Sequence, residues 1–347
     1  EEGVWHLEDL TSSIPMDMSS PALALNGLIT EGCIVVVEGM LTDGAFRIEF
    51  MGLPPGEERY NTLNAIGTRD TFGTGLRGQQ WSQMMELEEE DVNTFFVILA
   101  DVQLDRPQVL EKLNKVFEGF SDVGGQPVFV LMGSFIENSL VTSKSGKDAA
   151  IEAFSSLADT ICRYPDLAEH AKFILIPAGP TDPGTGAVMP LRPLPQFLVK
   201  ELSSRVKHVK CGTDPCRLRF FTQEIVFFRD DIMRKMRRHA IKVPHAAGAE
   251  EGVEEGTPDI AEQLVETLLR QAHLCPLPLT VRPIYWELDY TMRLFPLPDL
   301  LVLADRTDQY ALDCWGCNTV NPGSFSSDFS FVVYRPCTRS VEFSRVD

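Results

Sequence analysis

Four short apolar runs limit what this chain can fold into more than any other feature. They are FFVILA (95–100), PVFVLM (127–132), KFILIPA (172–178) and DLLVLA (299–304). None alternates with polar residues, so each predicts a strand covered on both faces. Between them lie stretches such as RPQVLEKLNKVFEGF (106–120) and DAAIEAFSSLADTICRY (148–164), with apolar residues three and four apart. That spacing predicts helices with one apolar face. Strands alternating with such helices imply a layered α/β sheet. The later runs LRFFTQEIVFFRDD (218–231) and FSFVVYRP (329–336) add further β structure.

The first 52 or so residues read differently. VWHLEDL and IPMDMS flank a Thr-Ser-Ser turn, and CIVVVEGML and AFRIEFMGL flank Asp43-Gly44. Asp-Gly between two such runs signals a type I′ hairpin, and a small antiparallel barrel is the closed form for strands this short. LPPGEER then breaks the pattern, IGTRDTFGTGLRG reads as a surface loop, and WSQMMELEEED as a short helix with a solvated acidic face. The expected organisation is α/β, α+β overall: an OB-like barrel over 1–65, a crossing segment over 66–92, and a layered domain over 93–347. AAGAEEGVEEGTP (246–258) is small, acidic and aperiodic, as an exposed insertion would be. No internal repeat is apparent. The chain lacks an initiator Met and opens inside what reads as a strand, so an N-terminal piece is expected to be missing.

Charge narrows the function. The net charge of −19 over 347 residues opposes generic binding to phosphate backbones. From residue 1 to 58 there is one base, Arg47, against eleven acids, and only Trp5, Phe46 and Phe50 are aromatic. A single-strand-binding groove needs basic and stacking residues instead, so the barrel is expected to be structural or protein-binding. The eight cysteines have no framework spacing, which fits reduced thiols in the cytosol or nucleus. No signal peptide opens the chain, and no apolar run approaches the roughly 18 residues of a membrane span.

In open α/β sheets ligands gather at the carboxyl ends of the strands. Asp101-Val102-Gln103 follows the first buried run, Gly133-Ser134-Phe135 the second, and Gly179-Pro180-Thr181-Asp182 the third. Asn321-Pro322-Gly323-Ser324-Phe325 comes near the C-terminus. The order resembles that of the calcineurin-like metallophosphoesterases, whose strand ends carry Asp-x-His, Gly-Asp, Gly-Asn-His and a late His-x-His. Those residues hold two cations that clamp the attacking and leaving oxygens. Asp101 matches the first acid. Gln103 stands for the histidine after it, Ser134 for the bridging acid, and Pro180-Thr181 for Asn-His. No His-x-His precedes Asn321. Gln, Ser, Pro and Thr are poor transition-metal ligands, so a catalytic site, a metal and a cofactor are not expected. Asp101 and Asp182 are left with capping and hydrogen-bonding their loops.

Three other features carry possible chemistry. None of the six histidines falls at a strand end. Cys211-x4-Cys216 and Cys314-x2-Cys317 are a weak four-thiolate zinc signal beside the simpler reading of buried free thiols. The run RDDIMRKMRRHAIK (229–242) clusters Arg229, Arg234, Lys235, Arg237, Arg238 and Lys242. A helix there turns Ile232, Met236 and Ile241 inward. Its bases, chiefly Arg234, Lys235, Arg237 and Arg238, form either a solvated face or a contact patch for phosphate or acidic partners.

A barrel followed by a phosphoesterase-like domain with emptied ligand positions is similar to the B subunits of the replicative DNA polymerases, and within them to the epsilon branch. The likeness rests on VWHLEDLTSSIPMDMS, ILADVQLDRPQVLEKLNKVFEGF, DPCRLRFFTQEIVFFRDDIMRKM, HLCPLPLTVRPIYWELDYTMRLFPLPDLLVLAD and NPGSFSSDFSF. The resemblance implies an OB-type barrel packed on an inactive phosphoesterase domain. It also implies a nuclear, non-catalytic scaffold that docks the C-terminal domain of the polymerase epsilon catalytic subunit, for replication and repair. The other epsilon subunits and the replicative helicase assembly are implied as further partners, with DNA contacted only indirectly or weakly and no membrane. Family members carry a small N-terminal helical domain that contacts the helicase assembly, and no match to it is found here. The rival readings are an active metallophosphoesterase and a single-strand DNA-binding module.

Overall fold

The structure is a computed structural model describing residues 4–19, 24–67, 70, 73, 75, 78–137, 144–241 and 259–347. The acidic insertion 246–258 lies outside the described residues, as does much of the Gly-rich loop 66–78. Two compact units emerge, Glu1–Glu57 with Met233–Val281, and Glu58–Ile232 with Arg282–Asp347. They divide the chain differently from the expected spans, because residues 233–281 group with the barrel strands.

The first unit contains β1 (His6–Glu8), β2 (Ser13–Asp17), β3 (Ala24–Asn26), β4 (Val36–Thr42) and β5 (Ala45–Gly52). Strands β1 and β2 form the first hairpin, whose turn is closed by the Asp9 carboxylate accepting from the backbone N–H groups of Thr11 and Ser12. Strands β4 and β5 form the second. Asp43 and Gly44 both take positive φ, 51° and 81°, as a type I′ turn requires. The sheet is mixed, however, rather than antiparallel throughout. One edge of β5 is taken by β4, and along the other it pairs in parallel with β2 through Phe46 and Arg47 and with β3 through Phe50–Gly52. Eight residues are long enough to serve two short partners in turn. A Cβ on Gly39 would lie 2.0 Å from the Arg47 carbonyl oxygen, so the register shift beside it admits only glycine. Ile29, Ile48, Met51 and Leu53 fill the interior.

The second unit opens with α1 (Arg59–Ile66) and α2 (Gln79–Glu90). The acidic run of α2 is not a purely solvated face. Glu88 is buried and accepts from the backbone N–H and hydroxyl of Thr222 and from the Gln223 amide. There follow β6 (Thr94–Leu99), α3 (Pro107–Val123), β7 (Gln126–Met132), α4 (Lys144–Ile161), α5 (Pro165–His170), β8 (Lys172–Ile176), α6 (Gln196–Arg205) and β9 (His208–Cys211). Strands β6 to β9 are parallel neighbours. Next come β10 (Cys216–Phe220) and β11 (Gln223–Arg229), then α7 (Ile232–His239) and α8 (Ile260–Arg270), which but for Ile232 group with the first unit, and, in the second unit again, a 3₁₀ turn (Trp286–Met292), β12 (Leu300–Ala304), β13 (Tyr310–Cys314), β14 (Cys317–Asn321), β15 (Ser330–Arg335) and β16 (Ser340–Arg345). The six-stranded sheet runs β16-β15-β6-β7-β8-β9 and the five-stranded sheet β10-β11-β12-β14-β13.

The all-apolar runs are explained by these two sheets facing each other. Phe96, Ile98, Val128 and Val130 meet Ile225, Phe227, Leu300, Val302 and Val320 in one core. The alternate residues Val97, Leu99, Phe129 and Leu131 pack with Val109, Leu113, Phe117, Phe154 and Leu157 of the helices in another. Both faces of β6 and β7 are therefore dry, as continuous apolar runs demand.

Residues 233–281 belong with the barrel strands for a bonding reason. The Thr267 hydroxyl accepts from the backbone N–H of Leu28, the Gln271 side chain bonds both backbone groups of Ile34, and the Ile241 N–H donates to the Ile29 carbonyl. Among the described residues no helix is long and apolar enough to cross a membrane.

Candidate functional site

The carboxyl ends of β6, β7, β8, β11, β12 and β14 bring together Asp101, Gly133, Asp182, Arg229, Asp305-Arg306 and Asn321. Asp101 holds a left-handed φ of 58° and is almost fully buried. One carboxylate oxygen accepts from the hydroxyls of Ser324 (2.9 Å) and Ser326 (2.8 Å). The other accepts from Nη2 of Arg306 at 3.1 Å and lies 3.5 Å from Nη2 of Arg229. Burial pushes this carboxyl up, but the charges of Arg229 and Arg306 and the two serine hydroxyls outweigh it and hold it below the usual carboxylate range.

Arg229 is the central group. It is buried, and its Nε donates to the Gly133 carbonyl at 2.8 Å. Nη1 donates to Asp231 at 2.9 Å and to the Ala304 carbonyl at 3.2 Å. Gly133 follows β7 of one sheet and Ala304 ends β12 of the other, so a single guanidinium joins the ends of both. Burial pushes its pKa down, yet Asp231, Asp101 and Asp305 together reverse this and hold it above the usual arginine value. It stays charged.

Asp182 sits in a different environment. Its two oxygens accept from the backbone N–H groups of Phe135 and Ala178, each at 2.7 Å. Burial dominates and pushes its pKa up to about 6, against those two hydrogen bonds. Gly133 makes room for it, since a Cβ there would lie 2.2 Å from an Asp182 oxygen and 3.0 Å from the Ala178 nitrogen. The remaining positions are engaged locally. Gln103 accepts from Arg106 at 3.2 Å, and Ser134 accepts from the Thr181 hydroxyl at 3.0 Å. The Gly179 carbonyl accepts from the Thr185 hydroxyl, and Pro180 is exposed. Asn321 bonds Asp305, Gly323, Thr307 and Asp308.

These residues do not fit a pair of metal ions. Asp101 is bound by two guanidinium groups and two hydroxyls, and Asp182 faces backbone N–H groups. The positions between them offer an amide, two hydroxyls and a proline, which suit such cations poorly. Among the described residues no three His, Cys, Asp or Glu side chains gather as a metal-ligand set. His6, His170, His208, His239 and His273 lie on β1, α5, β9, α7 and the segment after α8, and His245 is outside the described residues. Cys211 ends β9 at the edge of the six-stranded sheet and Cys216 opens β10 at one edge of the five-stranded sheet, whereas Cys314 and Cys317 lie on β13 and β14 toward its other edge, so the two pairs do not meet.

On α7, Ile232, Met233 and Met236 are buried, while Arg234, Arg237 and Arg238 are exposed and Lys235 is half-buried. Lys242 is outside the described residues. Arg229, the first base of that run, instead turns inward. Sequence reasoning missed it by counting it among clustered surface bases, and it passed over Arg306 and Ser326 altogether. The rule used for the other strands would have found the arginines. LRFFTQEIVFFRDD ends in Arg229 and DLLVLA runs into Asp305-Arg306, both at strand ends.

Residues 96–312 match the family of DNA polymerase alpha/epsilon B subunits. Residues 1–55 match the OB-fold domain of DNA polymerase epsilon subunit 2-like proteins. The chain is 40% identical to the DNA polymerase epsilon B subunit of Arabidopsis thaliana over 99% of its own length and 64% of that protein's. It is 38% identical to DNA polymerase epsilon subunit 2 of Mus musculus over 100% of its own length and 63% of that protein's. It therefore spans a little under two thirds of these relatives. Among solved structures, a novel archaeal phosphodiesterase aligns with 73% of this chain and 99% of its own, at 10% identity and a TM-score of 0.35.

Proposed function

The chain belongs to the family of DNA polymerase alpha/epsilon B subunits, and from that premise we propose that it is a non-catalytic scaffold subunit of the DNA polymerase epsilon complex. It docks the C-terminal domain of the catalytic subunit, in company with the other epsilon subunits and the replicative helicase assembly, and works in the nucleus. The observation that carries this reading is the buried Arg229 guanidinium bonded to the ends of both sheets beside Asp101. In a working phosphoesterase two metal ions neutralise the strand-end acids. Here fixed arginines supply the positive charge, and the carboxylates of Asp101 and Asp182 are both engaged within the protein. Asp101, Gln103, Gly133, Ser134, Gly179, Pro180, Thr181, Asp182 and Asn321 thus serve the shape of the sheet ends.

Co-purification with the catalytic subunit's C-terminal domain tests the proposal, and a stable complex burying about 2,000 Å² or more is expected. A folded chain that fails to form it overturns the scaffold role. Two bound metals together with phosphodiester turnover abolished by Asp101→Ala would instead establish the enzyme reading. Binding of single-stranded DNA by this chain alone, weakened by charge reversal at Arg234, Arg237 and Arg238, would favour the single-strand module.

A further inference from the structure

We propose that β4 is a docking edge for an extended, basic and apolar segment of a partner protein, which pairs with it as an added strand of the barrel sheet. The inference is independent of the scaffold reading.

Strand β4 pairs with β5 and with no other strand among the described residues. In an antiparallel pair, alternate residues turn their N–H and C=O groups away from the partner. Those groups of β4 meet nothing else among the described residues. At seven residues it is the longest strand at a sheet edge; β1, β3, β9, β10, β13 and β16 have three to six. The register shift does not disturb its free edge, because the extra residue, Glu49, belongs to β5.

Edge strands usually defend themselves with charge, proline or their own bulges. Strand β4, VVEGMLT, carries one charge and no proline. It also exposes Val36 at 50%, Met40 at 58% and Leu41 at 66%, and none of its residues is buried. An unpaired backbone edge lined by apolar side chains is what β-augmentation uses: main-chain bonds supply affinity and side chains select the sequence.

Charge fixes the sign of the occupant. Glu31, Glu38, Asp43 and Glu49 are exposed around the strand. The base on its partner strand β5, Arg47, is already paired with Asp17 at 3.3 Å. A partner strand carrying lysine or arginine between apolar residues complements this edge, an acidic one is repelled, and seven paired residues span about 23 Å.

The test uses a synthetic peptide of alternating valine and lysine, its glutamate-for-lysine analogue, and a copy with proline at the centre. The whole chain is followed by peptide anisotropy and by hydrogen exchange over residues 36–42. The valine–lysine peptide is expected to protect 36–42 and to bind at least about tenfold more tightly than either control. A chain carrying Met40→Lys and Leu41→Lys, both exposed and so compatible with folding, loses that binding by a similar factor. Equal binding of the proline copy, protection elsewhere than 36–42, or no binding overturns the proposal. Concentration-dependent dimers with 36–42 protected in the absence of peptide overturn it in favour of a second copy.

Discussion

Asp101 and Asp182 are both buried acids at carboxyl ends of the same sheet, with β7 between their strands, yet their electrostatics are opposite. Burial raises the pKa of each. Asp101 has two guanidinium groups within 3.5 Å and stays ionised, held below the usual range. Asp182 has two backbone N–H donors and no guanidinium in contact, and rises to about 6. Two N–H dipoles and the more distant Arg229 charge do not offset the loss of water around Asp182, whereas two guanidinium groups at close range do for Asp101. The strand ends are therefore divided into a half whose acid is held ionised by Arg229 and a half whose acid, Asp182, ionises only as pH rises through about 6.

The sharpest way to break this contrast is Arg229→Met. It strips Asp101 of its buried counter-charge and removes one donor each from the Gly133 and Ala304 carbonyls. Losing one partner of a buried ion pair costs about 3–5 kcal/mol, which a urea midpoint will register. Arg229→Lys should recover little of it, because an ammonium cannot span the same forked set of acceptors. A loss below about 1 kcal/mol would remove Arg229 from the centre of the site.

Asp182→Asn acts on the other half. The amide turns an N–H₂ toward a backbone N–H, with an expected cost of about 1–3 kcal/mol. Its pH dependence has a definite sign. Between the usual 3.8 and about 6 the folded chain holds a proton on Asp182 that the unfolded chain has released. The parent therefore loses stability as pH rises through that window, by up to about 3 kcal/mol. Asn does not titrate, so the gap between parent and variant should be smaller at pH 8 than at pH 5. Asp101 has the opposite linkage. Its contribution is present above its unfolded pKa and is lost as pH falls through its lowered folded value, so it leaves that comparison unchanged. Unfolding curves at the two pH values decide the matter, and an equal gap at both would detach Asp182 from the acid limb.

The smallest effect belongs to Arg306→Ala. The Arg306 side chain is half exposed and Asp101 keeps Arg229. Such pairs contribute at most about 1 kcal/mol, so thermal unfolding should barely move. A large shift would mean that both arginines are needed to keep Asp101 charged.

Much of this was legible in the sequence, for physical reasons. The runs FFVILA and PVFVLM had to be strands covered on both faces, since continuous apolar residues leave no side for water. Asp43-Gly44 had to turn a hairpin, because both positions take positive φ. The poor ligand character of Gln103, Ser134, Pro180 and Thr181 could be read too, because side-chain chemistry is the same in any fold. The acidic run of α2 was less legible. One-dimensional patterning shows a solvated face but not the one carboxylate, Glu88, that turns in to bond Thr222 and Gln223 across more than 130 residues of sequence.

The sequence by itself determined the class of sheet and the helices that cover it, because periodicity is a local property. Only the tertiary structure decided how the charges at the strand ends are compensated. Arg229 reads as one base in a basic run until β6, β7, β11 and β12 converge. Then it meets Asp101, Gly133 and Ala304, residues 75 or more positions away, and a surface-type residue becomes the buried charge on which the strand ends depend. The same holds for β4, whose composition marks it as a strand, while its free edge follows from which neighbours pair with β5 and which do not. Charge compensation and strand pairing are long-range, so they appear only when the chain is closed in three dimensions.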